Sequence, residues 1–326
     1  MPIQLVCWNM EKINDLNCAG KLEKMLASVK DKVDMDKPWV VAVLECKGKG
    51  ENVATKLKSG LSGTASVASV VIDANGGPHT REKVVLVYGG GCALTEHGAH
   101  DAWKTDFNLK MESEKNRFLE SQSNVRFPRT SKEASLNHTA GQAIDSAWSA
   151  DNCRDPVVAG FHAGSEKLKV AFVHSPGPSA KATMHDKTPF AHTYFACISK
   201  ALANAGTDVV MGDFNIYSSD DIEKNSDWDL KHVEDAMAKT GTTYKSCGAV
   251  SSSQLDRVFM HSKYVFGSKV KLMEASIDSS DHLGLYANIA MDTSSNGQLD
   301  SMDMSSSESV PAAAASASAS ASAMQE

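Results

Sequence analysis

With 326 residues, 42% of them hydrophobic, the chain can bury a large core, yet it contains no run of about 18 apolar residues, which excludes a transmembrane helix. The formal charge of -7 is concentrated at one end: beyond Met291 stand five acids and no Lys or Arg, and removing those five charges leaves a body at -2. Such a body neither demands nor excludes a polyanionic partner, because a bound divalent ion would add positive charge that the sequence does not count.

The seven cysteines, at 7, 18, 46, 92, 153, 197 and 247, are odd in number and scattered, with no CxxC pair, which fits reduced thiols rather than a disulfide frame or a zinc knuckle. Strand-like residues Ile3 to Trp8 follow Met1 almost at once, leaving no room for a charged, apolar and cleavable leader, so the expected location is cytoplasmic. That first strand ends at Asn9. Helical spacing at Leu22, Met25, Leu26 and Val29 predicts a helix over Cys18 to Lys32, and a second strand, Trp39 to Leu44, delivers Glu45. Asn52 to Ser59 reads as a short helix stopped by Gly60. Ala65 to Ile72 and Glu82 to Tyr88 read as a strand pair across the turn-rich stretch Asp73 to Pro78.

Residues 89–153 are polar, with Gly89-Gly90-Gly91 in front and Lys110, Lys115, Arg117, Arg126, Arg129 and Lys132 behind. A structureless loop of that length is foreign to a compact domain, so one or two helices are expected there, with Glu112 to Ser121 the candidate. Pro156 to His162 and Leu168 to His174 follow as paired strands, and Thr188-Pro189 opens a helix that runs to Ala205. Asp208 to Asn215 is a short buried strand whose apolar run stops at Gly212-Asp213-Phe214-Asn215, so a carboxylate and a carboxamide are delivered together at a strand's end. The bland alternative for that pair is an Asx-turn that satisfies only its own backbone. Asp229 to Lys239 is expected as a helix, Gln254 to Met260 and Leu285 to Ile289 as strands. The alternation favours a layered α/β sandwich. Residues 292–326 turn to Ser, Ala, Met and Asp, and this Ser/Ala-rich acidic stretch is expected to be a disordered tail. Deleting 294–326 is therefore expected to leave the melting temperature unchanged, and a large downward shift in calorimetry would contradict the expectation.

Polar groups recur at strand ends: Asn9, Glu45, His174, Asp213 with Asn215, and Asp281-His282, with Asp256 in Leu255-Asp256-Arg257. Together they supply oxygen ligands suited to a hard Mg2+ or Mn2+ ion and two imidazoles suited to proton transfer.

The order and wording of these residues resemble the endonuclease/exonuclease/phosphatase family, and within it the deoxyribonuclease I group. The signature reads here as Trp8-Asn9, Leu44-Glu45, Met211-Gly212-Asp213-Phe214-Asn215, Leu255-Asp256-Arg257-Val258-Phe259 and Ser280-Asp281-His282. Closer likeness lies in Arg81-Glu82 before an apolar strand, in Arg154-Asp155-Pro156, and in His174-Ser175-Pro176-Gly177-Pro178-Ser179-Ala180. The resemblance covers roughly residues 3–290. It implies a four-layered α/β sandwich of two packed mixed β-sheets flanked by helices, a catalytic domain over 1–291 with 89–153 as a long insertion, and an enzyme acting as a monomer on DNA without membrane insertion.

The implied reaction is metal-dependent phosphodiester hydrolysis, an endonuclease of low sequence specificity. Glu45, Asn9 and Asp281 would hold Mg2+ or Mn2+, with Ca2+ a candidate structural ion. His174 oriented by Glu82 and His282 oriented by Asp256 would transfer protons, with Asp213 and Asn215 completing the catalytic floor. Arg154 would bind a phosphate, and Lys47 would enter a minor groove. Thr80, in place of a sugar-stacking tyrosine, and Glu11, in place of a basic residue, depart from the pattern, as does the cysteine arrangement. The alternatives are a phosphatase or phospholipase C-type enzyme of the same family, acting on inositol lipid or sphingomyelin, and a binding protein on the same fold. The first is disfavoured by Gln254-Leu255-Asp256-Arg257, which lacks the Pro-x-Trp-Cys-Asp-Arg of inositol 5-phosphatases. The second is disfavoured by the complete motif set.

Overall fold

A computed structural model describes residues 2–14, 16–62, 66–74, 82–123, 149–176, 189–216, 219–232, 244–245, 252–253, 255–265, 268–273, 280 and 282–290. The folded body lies within Met1–Thr293, and the tail falls outside the described residues. In chain order the first elements are β1 (Ile3–Ile13), α1 (Cys18–Lys32), β2 (Trp39–Cys46), α2 (Glu51–Leu61), β3 (Ala68–Asp73), β4 (Lys83–Gly89) and β5 (Cys92–Ala99). Then come α3 (Trp103–Ser123), a short 3-10 turn (Ala150–Asn152), β6 (Val157–Ala163), β7 (Glu166–His174), α4 (Pro189–Asn204) and β8 (Val209–Asp213). The remainder is α5 (Ser219–Lys224), β9 (Leu230–His232), β10 (Tyr244–Lys245), β11 (Ser252–Ser253), β12 (Asp256–His261), α6 (Ser262–Val265), β13 (Lys269–Met273) and β14 (Gly284–Ile289).

Two six-stranded mixed sheets carry the architecture, in the orders β13-β14-β1-β2-β4-β3 and β5-β6-β7-β8-β12-β9. At the centre of each, one parallel pair is joined through a helix: β1 and β2 through α1, β7 and β8 through α4. Their outer neighbours run antiparallel. Strand alternation divides the apolar residues between faces. Leu5, Cys7, Val40, Ala42 and Leu44 point to the interior between the sheets and meet Val170, Phe172, Val209 and Met211. Their chain neighbours Val6, Trp8, Val41 and Val43 pack instead against Leu22, Met25, Val29, Val53 and Leu57 of α1 and α2. On the other outer face Val210 and Phe259 lie against Trp103, Phe107, Phe190, Tyr194 and Phe195 of α3 and α4. Both faces of both sheets are covered, which is why the central strands read as continuous apolar runs. The result is the four-layered α/β sandwich.

Several expectations are corrected. The helix expected over Asp229 to Lys239 is not present at its start: Leu230–His232 forms β9, an edge strand paired with β12, and residues 233–243 lie outside the described ones. The helix at Glu112 to Ser121 is the end of the longer α3, anchored by Trp103, Phe107 and Met111. The same polar region contributes β5, an edge strand that was not anticipated, paired with β6. Among the described residues no helix is long and apolar enough to cross a membrane, and six cysteines are free and buried.

Gly212 has a geometric reason to be glycine. Its φ is +139°, and an added Cβ would stand 2.1 Å from the Val173 carbonyl oxygen on the neighbouring strand. Gly212→Ala is expected to cost ~3 kcal/mol or more, because the clash is with backbone and not with a side chain that can turn away. Urea denaturation measures this; an unchanged midpoint would show that β7 and β8 can part.

Candidate active site

Strand ends of both sheets converge at one edge of the sandwich, and the polar residues there meet in pairs that bridge the sheets. Glu82, immediately before β4 in the first sheet, takes His174 Nδ1 of the second sheet on Oε2 at 2.7 Å. Asp256, opening β12 in the second sheet, takes His282 Nδ1 on Oδ2 at 2.7 Å, and His282 is held just before β14 of the first. Between them Asn9 of β1 donates from Nδ2 to Asp213 Oδ2 at 3.0 Å. Both imidazole Nε2 atoms stand 3.6 Å from that same Asp213 oxygen. This is longer than a hydrogen bond, so neither Nε2 is bonded to Asp213. With Nδ1–H given to a carboxylate, each neutral imidazole presents Nε2 as the proton acceptor.

Asp213 does make the Asx-turn of the bland alternative: Asn215 N donates to Oδ1 at 2.9 Å. It makes more than that, since Asn215 Nδ2 reaches Oδ2 at 3.1 Å and also the Ser175 carbonyl at 2.9 Å. Asn215 has φ +51° and Glu45 φ +57°, the left-handed region that side chains other than glycine seldom occupy. Glu45 follows Leu44, the partner of Asn9 across β1 and β2, at a break in their register. Two predicted site residues are thus held in costly backbone conformations at strand ends, as functional positions often are.

Lys47 Nζ is bound to Glu82 Oε1 at 2.7 Å, the same oxygen that receives Arg154 Nη2 at 2.6 Å. Burial pushes the Glu82 carboxyl up, but His174, Arg154 and Lys47 together outweigh it and hold it far below the ordinary value of 4.5. A carboxyl depressed in the folded state adds its full stability above that ordinary value and loses it as pH falls toward the folded value. Glu82→Gln is therefore expected to be less stable than wild type at neutral pH and to converge with it as acid is added below 4.5. A difference in urea midpoint that does not vary with pH would contradict the cluster.

Asp281, the third predicted metal ligand, lies outside the described residues, as do Thr80 and the side chain of Glu11. Among the described residues the group able to surround an ion is Asp213, Asp256 and His282, whose ligand atoms lie within 4.8 Å of one another. There Asp256 Oδ2 is already engaged by His282 Nδ1. Glu45 and Asn9 lie on the paired strands β2 and β1, and hard oxygen donors such as theirs suit Mg2+ or Mn2+.

Sequence reasoning passed over the groups that fix these residues. Ser280 Oγ donates to the Asn9 carbonyl at 2.6 Å and accepts His282 N at 3.1 Å, and Trp8 Nε1 holds the His282 carbonyl at 3.0 Å. Asp155, beside Arg154, is buried and takes Trp103 Nε1 and Lys104 Nζ at 3.1 and 2.9 Å. A small hydroxyl just before Asp-His and an acid just after Arg were the available signals. Cys7 lies beneath the site, but burial first, then Asp256 and Asp213, push its thiol well above 9.0, so it is no nucleophile.

No protein-family model matches the chain, and no curated protein does. Solved structures share its fold. An endonuclease/exonuclease/phosphatase family protein from Leptotrichia buccalis aligns with TM-score 0.55 at 14% identity, over 88% of this chain and 99% of that one. The endonuclease/exonuclease/phosphatase from Bacteroides vulgatus gives 0.53 at 12%, over 90% and 100%. TDP2 of D. rerio, crystallised with a single-strand DNA product, gives 0.53 at 12%, over 89% and 99%. With its two packed mixed sheets, its flanking helices and these neighbours, the chain has the deoxyribonuclease I-like fold of the endonuclease/exonuclease/phosphatase proteins.

Proposed function

We propose that the chain is a divalent-metal-dependent phosphodiester hydrolase acting on nucleic acid, with the DNA backbone cut internally and without sequence preference. The observation that carries this reading is the pair of imidazoles, each oriented by a carboxylate of the opposite sheet and each 3.6 Å from one oxygen of Asp213. Hydrolysis of a phosphodiester needs a proton taken from water and a proton given to the leaving oxygen, and two separately oriented imidazoles suit those tasks. The DNA product bound to a structural neighbour supports the choice of substrate.

In this reading Glu45, Asn9 and Asp281 would hold the ion, which would supply positive charge beside a phosphate. His174 and His282 move protons at Nε2, Glu82 and Asp256 fix their rings, and Asn215 and Asp213 set the floor. Arg154 binds phosphate through its planar fork.

A plasmid-nicking assay tests this, with Mg2+, Mn2+ and EDTA compared and free phosphate measured in parallel. Nicking is expected with either ion and none with chelator; full activity in excess EDTA would rule out the metal. Release of inorganic phosphate from monoesters without nicking would move the chain to the phosphatases. Glu45→Ala is expected to remove most activity while the protein stays folded, since a half-buried strand-end carboxylate contributes little packing.

A further inference from the structure

At the far end of the second sheet from the candidate active site, a cavity of about 350 Å3 opens among the end of α4, the start of β8, the end of β12 and the loop before β9. β8 and β12 are antiparallel, with Met260 opposite Val209 at this end and Asp256 opposite Asp213 at the other. The five residues of β8 separate the two ends by roughly 15 Å, so an occupant of the cavity would not touch the reacting groups.

Two of the lining residues carry unsatisfied polar groups. Thr207 is 8% exposed, and its Oγ1 is buried with no hydrogen-bond partner among the described residues. The same holds for Nε1 of Trp228, a part-buried residue of the loop before β9. An indole N–H only donates, so an incoming acceptor is what satisfies it, and a buried donor left without one costs free energy.

The mouth is ordered by Asp208, whose oxygens are all engaged. Oδ1 takes Lys263 Nζ at 2.9 Å, Oδ2 takes Lys169 N at 3.0 Å, and the carbonyl takes His261 N at 2.9 Å. His261 Nδ1 accepts Lys263 N at 3.2 Å, which leaves Nε2 with the ring proton as a donor, 3.9 Å from Asp229 Oδ2. These side chains are open to solvent: Lys263 is 43% exposed, His261 38% and Asp229 75%.

The lining is therefore richer in donors than in acceptors. An indole N–H, a hydroxyl, an imidazole N–H and the remaining ammonium protons of Lys263 stand against Asp229 and the lone pairs of Thr207. The charges of Lys263 and Asp208 cancel, and Asp229 at the mouth disfavours an anion. Ala203, Leu230 and the Trp228 ring supply apolar wall. The complementary ligand is small and uncharged, has apolar faces, and carries more carbonyl oxygens than N–H groups along its edge. A dioxopyrimidine, with two carbonyls flanking one N–H, has that edge; adenine, with its amino group, does not.

We propose that the cavity bounded by Thr207, Trp228, His261 and Lys263 is a binding site for a uracil- or thymine-type base, remote from the candidate active site. It stands whether or not the chain is a nuclease.

The test is calorimetric titration of the full chain with uridine, thymidine and adenosine, in EDTA so that no metal-dependent cleavage intervenes. Wild type is expected to bind uridine and thymidine with Kd of about 0.1–1 mM, the range for ligands of this size, and adenosine about tenfold more weakly. Thr207→Val replaces the hydroxyl by a methyl, and Trp228→Phe keeps an aromatic ring without the N–H. Each is expected to weaken uridine about tenfold, the scale of one hydrogen bond to a buried group. Thr207→Val is also expected to raise the melting temperature of the ligand-free protein by about 2 °C, because an unsatisfied buried group is removed.

An octathymidylate strand separates the sources of the base. Weaker strand binding by Thr207→Val would mean that the site takes a base within a strand; an effect on nucleosides alone would mean a free nucleoside. Wild type that does not bind uridine at all, or uridine affinity unchanged in both variants, would overturn the proposal. So would a lower melting temperature for ligand-free Thr207→Val, which would show the hydroxyl already satisfied by an ordered water only.

Discussion

Asp213→Asn is expected to slow turnover by about 100- to 1000-fold and to lower stability as well. The carboxylate is an acceptor on every side: Oδ1 takes the Asn215 backbone N–H, and Oδ2 takes the amides of Asn9 and Asn215. An asparagine amide, whichever way it is turned, sets its own NH2 against one of those donors, so isosteric replacement cannot be neutral. The unmade hydrogen bonds cost about 1–3 kcal/mol. The catalytic loss has a separate origin. The single negative charge facing both imidazole Nε2 atoms disappears, and an imidazolium formed during proton transfer loses the counter-charge on its Nε2 side. Nicking rates normalised to the folded fraction from circular dichroism separate the two effects. A folded variant with a near-normal rate would remove Asp213 from the mechanism.

His174→Ala is expected to cost about 100-fold or more in turnover, the usual scale for a positioned acid or base. The sharper test is its combination with Glu82→Gln. A carboxylate that acts by orienting His174 matters through His174, so Glu82→Gln should be damaging in wild type and add little to turnover on top of His174→Ala. The design has a built-in complication: Glu82 also anchors Lys47 and Arg154. A residual effect confined to KM is therefore expected in the double variant, while kcat shows the non-additivity. Effects on kcat that multiply would count against the pairing.

What the sequence disclosed follows physical lines. Ile3 to Trp8, Trp39 to Leu44 and Val209 to Met211 were legible because their strands are covered on both faces and read as unbroken apolar runs. The helix Cys18–Lys32 was legible because Leu22, Met25 and Val29 repeat on one buried face. β5 was not: its residues Cys92–Ala99 lie on an edge, mostly half-buried or exposed, and carry no clean alternation. β9 was hidden in a stretch whose spacing suited a helix, and only its pairing with β12 decided the matter. In the site, polarity at strand ends was visible, but which carboxylate meets which imidazole depends on contacts such as Glu82 to His174, 92 positions apart. That pairing came from the resemblance. The contact of Lys47 with Glu82 was hidden for the same reason, because the two are 35 positions apart.

The strand orders of the sheets have a further consequence, which is one of symmetry. In each, a strand–helix–strand unit occupies the centre, β1-α1-β2 in one and β7-α4-β8 in the other, and matching neighbours flank it in the same sequence. The halves are thus copies in architecture, and equivalent positions can be compared. Glu82 and Asp256 correspond, each at the opening of the strand antiparallel to the second strand of its unit. Glu45 and Asn215 correspond less closely, one following β2's pairing to β1 and one following β8, and both have positive φ. Elsewhere the copies diverge: β1 ends its regular pairing at Asn9, before a register shift, where β7 ends at His174, and β14 is preceded by His282 where β6 is preceded by Arg154. A pseudo-dyad alone would make the two sides of the centre alike. The polarity of the centre, with its cations on one side, comes from unlike residues placed at like positions.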